Sequence, residues 1–181
     1  MSPERQDPIK IVSYDDSWPA AFEEQRSRVE SALRPWLVGP VEHIGSTSVP
    51  GLAAKPVIDL MAAAADLRAV ADAEPVLTAL GYRLIETGMR GRLFYRREGV
   101  PAYHFHVLTE TAWDDSLERL LRDHLLDHPA DRAAYEQLKR ALAGAGHDGD
   151  AYTRAKTALI QRMVDDARTR RGLPLVPVWE E

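Results

Sequence analysis

The run from Val41 to Ala65, VEHIGSTSVPGLAAKPVIDLMAAAA, restricts the fold of this chain more than any other segment. Val41 to Ile44 reads as a short strand, Gly45-Ser46 as a tight turn, and Thr47 to Lys55 as a short helix or irregular loop interrupted by Pro50-Gly51. Pro56 to Met61 then reads as a buried strand, because Val57, Ile58 and Leu60 form a dense apolar run around Asp59. A strand that runs through Gly-Ser into a helix start turns backbone N–H groups toward an anion. Glycine permits close approach, serine adds a donor, and the helix N-terminus adds a favourable dipole. Thr47 and Ser48 bring further hydroxyls, although a purely structural Gly-Ser turn accounts for the same letters. Asp59 sharpens the choice, since a carboxylate in VIDL is costly to bury without a metal, a cation or hydrogen bonds. The alternative is an aspartate that caps a loop at a strand end.

The flanking pattern alternates helix and strand. Ile9 to Val12 predicts a short strand, and Asp15-Asp16-Ser17 before Trp18-Pro19 predicts a capped helix start. Trp18, Phe22, Val29 and Leu33 share one face of that helix, which Pro35 and Gly39-Pro40 bring to an end. Asp66 to Leu80 is helical, with Pro75 either splitting it or beginning a new helix and Gly81 as its C′ residue. Tyr82 to Glu86, Arg92 to Arg96 and Tyr103 to Leu108 follow as strands. Beyond Trp113 come three helical segments, about 114–126, 129–143 and 150–170, whose leucine stripes are expected to stack on the sheet. The tail after Gly172 is proline-broken and either packs as an extended arm or hangs free. No internal repeat is visible.

With 181 residues the chain is expected to form one domain over 1–181, with a core sheet about 9–110, C-terminal helices about 113–171 and a tail 172–181. A formal charge of −5 argues against a protein that coats nucleic acid, although Arg90 to Arg97 makes a local basic patch. Cysteine is absent, so any metal must be held by oxygen or imidazole. The first residues lack an apolar core of signal-peptide length, and no stretch approaches the roughly 20 apolar residues of a membrane span. The expectation is a cytoplasmic protein without a membrane segment.

His104 and His106 lie two apart on a predicted strand, so their side chains share one face and suit a common ligand or base chemistry. The plainer reading has one of them facing the core. His43 is a lesser candidate. Arg90, Arg92, Arg96 and Arg97 suit a phosphorylated ligand through forked hydrogen bonds, or simply a solvated hairpin. Tyr152 and Lys156, at i and i+4, form either a clamp over a site or a surface pair, and Arg122, Asp123 and His124 present the same choice.

At these residues the chain resembles the GrpB family, whose fold is nucleotidyltransferase-like. VEHIGSTSVPGLAAKPVIDLM carries the family signature, and YHFHVL, SLERLLRDHLLDHPADRAAYEQLK and AYTRAK follow in order, so the likeness runs from about Ile9 to Arg170. The resemblance implies an α/β (α+β) fold: a mixed sheet flanked by helices, with a C-terminal helical layer. It matches Gly45-Ser46 to a phosphate-binding turn and Asp59 to the first carboxylate of a metal-binding acidic pair. Two residues on, where that pair has its second acid, stands Met61, and the His104/His106 strand takes the place of the third acidic position. Family analogy implies magnesium or manganese; one Asp with two His suits a softer transition metal better. The resemblance also implies fusion of some members to dephospho-coenzyme A kinase, hence a partner-enzyme or accessory role for a freestanding chain.

Two functions are therefore expected. One is a nucleotidyltransferase-fold enzyme binding a nucleotide or other phosphorylated small molecule. Gly45, Ser46, Thr47 and Lys55 would hold phosphate, Asp59, His104 and His106 would hold a divalent metal or act as catalytic groups, and Arg92, Tyr152 and Lys156 would clamp the ligand. The other is a non-catalytic nucleotide-binding or accessory module that has lost the acidic pair. A homo-oligomer or a complex with a partner enzyme is compatible with either, and nucleic acid is the least expected ligand.

Overall fold

Val57–Ala64, strand β2, is buried at every position except half-buried Asp59. That near-continuous apolar run is what a strand covered on both faces requires. The computed structural model describes residues 9–114, 116–145 and 149–178. By packing, the chain falls into two compact units. One carries the sheet, residues 15–48 and 56–116; the other carries residues 49–55 and the segment from Leu117 onward, with the first strand-like residues up to Tyr14.

The sheet unit is a five-stranded mixed sheet. Its strands are β1 (Leu37–Ile44), β2, β3 (Arg83–Leu84), β4 (Arg92–Arg97) and β5 (Ala102–Thr109), in the spatial order β1-β2-β5-β4-β3. β2 and β5 run parallel, and the other neighbours are antiparallel. The register places Asp59 beside His104 and Met61 beside His106, while β4 brings Arg96 beside His104 and Phe94 beside His106. Residues directly opposite share a face, so one face of the sheet gathers Ile44, Asp59, Met61, Phe94, Arg96, His104 and His106.

The other face carries Phe105, with Tyr95 and Tyr82 ring-packed on it, and is covered by α1 (Trp18–Leu33) through the stacking of Phe22 on His43 at 4.5 Å. Trp18, Phe22, Val29 and Leu33 are all buried, as their helical spacing predicts. Ser17 is the N-cap but its side chain makes no cap bond; instead the Asp15 carboxylate accepts from the Ser17 N–H at 2.8 Å. Pro75 does split the next helical run, into α2 (Leu67–Asp72) and α3 (Glu74–Ala79). Gly81, at φ +87°, closes α3 through Gly81 N–H to Thr78 O and Tyr82 N–H to Leu77 O, the paired bonds of a Schellman turn.

Gly39-Pro40, expected to separate helix from strand, instead lies inside β1. The register slips between Val38 and Glu42, a bulge on an edge strand where a proline without an N–H is tolerated. The Val41 N–H near the bulge donates to Glu30 of α1 at 2.8 Å. Ile9 to Val12, expected as a strand, contributes only a bridge from Val12 to Ala54.

In the second unit, α5 (Leu117–Asp127), α6 (Pro129–Gly144), α7 (Gly149–Ala155) and α8 (Thr157–Arg170) follow the short α4 (Glu110–Trp113) of the sheet unit. Leu120, Leu125, Tyr135, Ile160, Met163, Val164 and Val178 make one core with Val49 and Leu52. The apolar stripes thus close on one another. The expected single helix over 150–170 is broken at Lys156, between α7 and α8. The tail packs as an arm as far as Val178, its last described residue, and 179–181 lie outside the described residues: Gln161 accepts from the Val178 N–H at 2.9 Å and donates to Val176 O at 2.9 Å.

Candidate metal and phosphate site

Asp59, His104 and His106 converge because a parallel register sets β2 beside β5. The ligand-capable atoms of the three lie within 4.8 Å of one another. Asp59 Oδ1 is 3.2 Å from His104 Nδ1 and 4.0 Å from His106 Nε2. Donors bonded to one ion at about 2.1 Å stand about 3.0–3.4 Å apart, so small side-chain movements close this set around a cation. One carboxylate with two imidazoles suits zinc or another first-row transition ion.

Two rings and a guanidinium line the same face. Phe94 lies 4.7 Å from the His106 ring and edge-on to His104 at 5.1 Å. Arg96 Nε donates to His104 Nε2 at 3.3 Å, and its guanidinium stands 5.9 Å from the Phe94 ring. An arginine N–H can only donate. His104 Nε2 is therefore an acceptor, the ring is neutral, and its proton sits on Nδ1 facing Asp59.

Gly45 is required at its position twice over. Its φ is +72°, and a Cβ there would meet Asp59 Oδ2 at 2.4 Å. The turn and the carboxylate are thus packed together, with no side chain between them. Thr47 is turned the other way: it is 1% exposed, its hydroxyl donates to Val57 O at 3.0 Å, and it lies 3.0 Å from His43 Nε2. That hydroxyl holds the turn against β2 and is occupied there. Ser48 Oγ likewise donates back to Gly45 O at 2.5 Å, whereas Ser46 is half-buried in the 3-10 turn Ser46–Ser48.

Met61 is fully buried, with Ile44 and Leu108 as its cluster and Ala112 and Trp113 packed against it. The residues present therefore fit a single ion held by Asp59 and imidazole better than a pair of magnesium ions held by paired carboxylates.

Arg92 is half-buried on β4, on the same face as Asp59 by register. Lys55, Tyr152 and Lys156 belong to the helical unit. Lys55 is exposed. Lys156 Nζ stands 4.2 Å over the Tyr152 ring, and that ring is buried. Nearby, Lys139 is 2% exposed, donates to Ala53 O, and lies over the Tyr135 ring at 4.8 Å. Burial, aided by the Lys156 charge, lowers its pKa to about 7. Glu136 accepts the Ala53 N–H at 3.0 Å, which lowers its own pKa, so one turn of α6 grips both backbone groups of Ala53.

Arg122, Asp123 and His124 also resolve. Asp123 takes Arg122 and Arg171, each at 2.9 Å, and His124 pairs with Asp131 at 2.6 Å. Sequence reasoning did not select Phe94. The period-2 spacing of Arg92, Phe94 and Arg96 puts them on one face, but strand order decides that this is the face of Asp59.

A GrpB family model, described as "GrpB protein", matches residues 8–166. The chain belongs to the GrpB family. Its match to the UPF0157 protein SCO7215 of Streptomyces coelicolor is 39% identical, covering 84% of this chain and 80% of that one. The UPF0157 protein YqkA of Bacillus subtilis is 31% identical over 88% of this chain, which spans only 47% of that longer relative. The crystal structure of the GrpB protein from Enterococcus faecalis superposes with a TM-score of 0.82 at 29% identity, over 90% of this chain and 99% of that one. A protein named dephospho-CoA kinase, of Mycolicibacterium paratuberculosis, is 27% identical over 81% of this chain and 31% of its own length. For this GrpB chain the mixed α+β fold expected from the sequence holds, and among the described residues no helix is long and apolar enough to cross a membrane.

Proposed function

We propose that this GrpB protein binds a nucleotide or other phosphorylated small molecule against the Gly45-Ser46 turn, with one divalent transition-metal ion at Asp59, His104 and His106. The observation that carries the reading is the packing of Gly45 on Asp59, where a Cβ would lie 2.4 Å from the carboxylate oxygen. A glycine turn pressed on a carboxylate, with two imidazoles within 4.8 Å, joins an anion cradle to a cation cradle. A bound ion would supply charge neutralisation for phosphate oxygens and polarise the phosphorus centre for nucleotidyl or phosphoryl transfer. In this reading Ser46 would donate to a phosphate oxygen and Arg92 would pair with one.

Calorimetry of Zn²⁺ or Mn²⁺ into metal-stripped protein, with and without a non-hydrolysable nucleoside triphosphate, tests this reading. Metal-dependent nucleotide binding that is lost in Asp59→Asn is expected; nucleotide binding indifferent to metal in the wild type would sink it. Buried Met61 favours a second reading, an accessory module that keeps the pocket without catalysing transfer. The similarity to a protein named dephospho-CoA kinase links that reading to coenzyme A metabolism and a partner enzyme. Tight metal-dependent binding without turnover would select it.

A further inference from the structure

His104 is bracketed by two groups that make opposite demands on its ring. Arg96 Nε stands 3.3 Å from Nε2, and Asp59 Oδ1 stands 3.2 Å from Nδ1. A guanidinium stays charged in proteins and has no lone pair to offer, so Nε2 must present one to it. The single proton of the neutral imidazole is thereby placed on Nδ1. An imidazole nitrogen binds a metal only through a lone pair. The nitrogen nearest Asp59 is therefore blocked by hydrogen for as long as Arg96 holds the other one.

We propose that Arg96 is a positioning residue that keeps His104 out of the ligand set until an oxyanion draws the guanidinium away. The proposal rests on the cation site proposed above and concerns how that site is loaded. When Arg96 leaves, the proton lost from Nδ1 is matched by one gained at Nε2. The ring stays neutral, and its free lone pair turns to Asp59 and His106. An oxyanion of the phosphate class is the fitting competitor, because guanidinium and phosphate match in fork geometry and charge. The same sheet face supplies the room: Arg96, Phe94 and Arg92 alternate along β4, facing His104, His106 and Leu108. Anion and cation then strengthen each other's binding through one side chain, and by linkage the effect is reciprocal.

Long-range proton–nitrogen NMR on the metal-free wild type, labelled at histidine, reads the tautomer directly. His104 is expected with its proton on Nδ1; a proton on Nε2 would overturn the assignment even if no variant folds. Zinc titrations then compare wild type with Arg96→Met, in chloride and in sulfate of equal ionic strength, sulfate serving as the phosphate-like probe. Arg96→Met should bind zinc at least tenfold more tightly in chloride. Sulfate should tighten zinc binding to the wild type and leave Arg96→Met unchanged. Arg97→Met removes the same charge from the same strand, where the guanidinium lies over Tyr103 and away from His104, and should not reproduce the gain. If zinc binds wild type and Arg96→Met equally, the coupling fails while the cation site stands; if it binds neither, the cation site fails and takes the coupling with it.

Discussion

Two clusters in this molecule use the same three residue types and behave differently. In the helical unit, His124 sits between Asp131, 2.6 Å from its Nε2, and Arg170, 2.8 Å from its Nδ1. Arg162 holds the other Asp131 oxygen at 2.6 Å, and His128 stacks on His124 at 4.1 Å. Both nitrogens of His124 and both oxygens of Asp131 are thus occupied. These bonds tie α5, α6 and α8 together, and Arg162 and His124 hold the Asp131 carboxyl at about 2. In the sheet unit, Asp59 meets His104 at 3.2 Å and His106 only at 4.0 Å, and its side chain is 22% exposed. A closed, short-bonded network contributes stability; the looser one keeps its ligand-capable atoms within 4.8 Å of one another without short bonds among them. Residue composition does not separate the two, whereas bond length and closure do.

The largest expected effect breaks the closed cluster. His124→Ala should lower unfolding free energy in urea by about 3 kcal/mol, since it empties the space of a buried ring and takes away the hydrogen-bond partner of the half-buried Asp131 carboxylate. A loss as small as that of His106→Ala would erase the contrast between the clusters. The acid limb sharpens it further. Asp131's folded pKa is depressed, so its stabilisation is complete above its ordinary value of 3.8 and is lost as pH falls toward about 2. Asp131→Asn should therefore lose stability at neutral pH and show a flatter profile between pH 4 and 2.

Lys139 gives an effect of similar size and opposite origin. Its folded pKa lies near 7, below the ordinary 10.5, so the unfolded chain binds more protons between those values. Stability should then rise with pH across that window, by on the order of 3 kcal/mol relative to Lys139→Met. Equal slopes for the two proteins in urea melts at pH 7 to 10 would remove Lys139 as the cause.

Gly45→Ala comes next. The left-handed backbone costs about 1–2 kcal/mol, and the added Cβ must push Asp59 aside. Stability should fall modestly while zinc affinity falls by more than tenfold; unchanged zinc affinity would separate the turn from the site. Smallest in stability are Asp59→Asn and His106→Ala, each expected to change unfolding free energy by less than about 1 kcal/mol while abolishing metal binding. Unfolding of both variants would make the open cluster structural after all.

Much of this was legible in the chain. The strand–turn–strand of Val41 to Met61, the helix from Trp18, the split at Pro75 and the Gly81 cap all follow from local chemistry. His104 and His106 share a face because strand side chains alternate. Thr47 was less legible: a hydroxyl after Gly-Ser looks available, and only its bonds to Val57 and His43 show that it is occupied. Gly39-Pro40 read as a terminator because a bulge in an edge strand carries the same letters as a stop. The break at Lys156 left no proline or glycine to mark it.

By itself, then, the sequence determined most of the elements, the family and three residues whose chemistry suits a cation, since period, turn chemistry and side-chain type are local properties. The tertiary structure decided which of them meet. Strand order and register are long-range pairings, and they alone set Asp59 beside His104, put Arg96 on the far nitrogen of that ring, and left Met61 buried with Ile44 and Leu108.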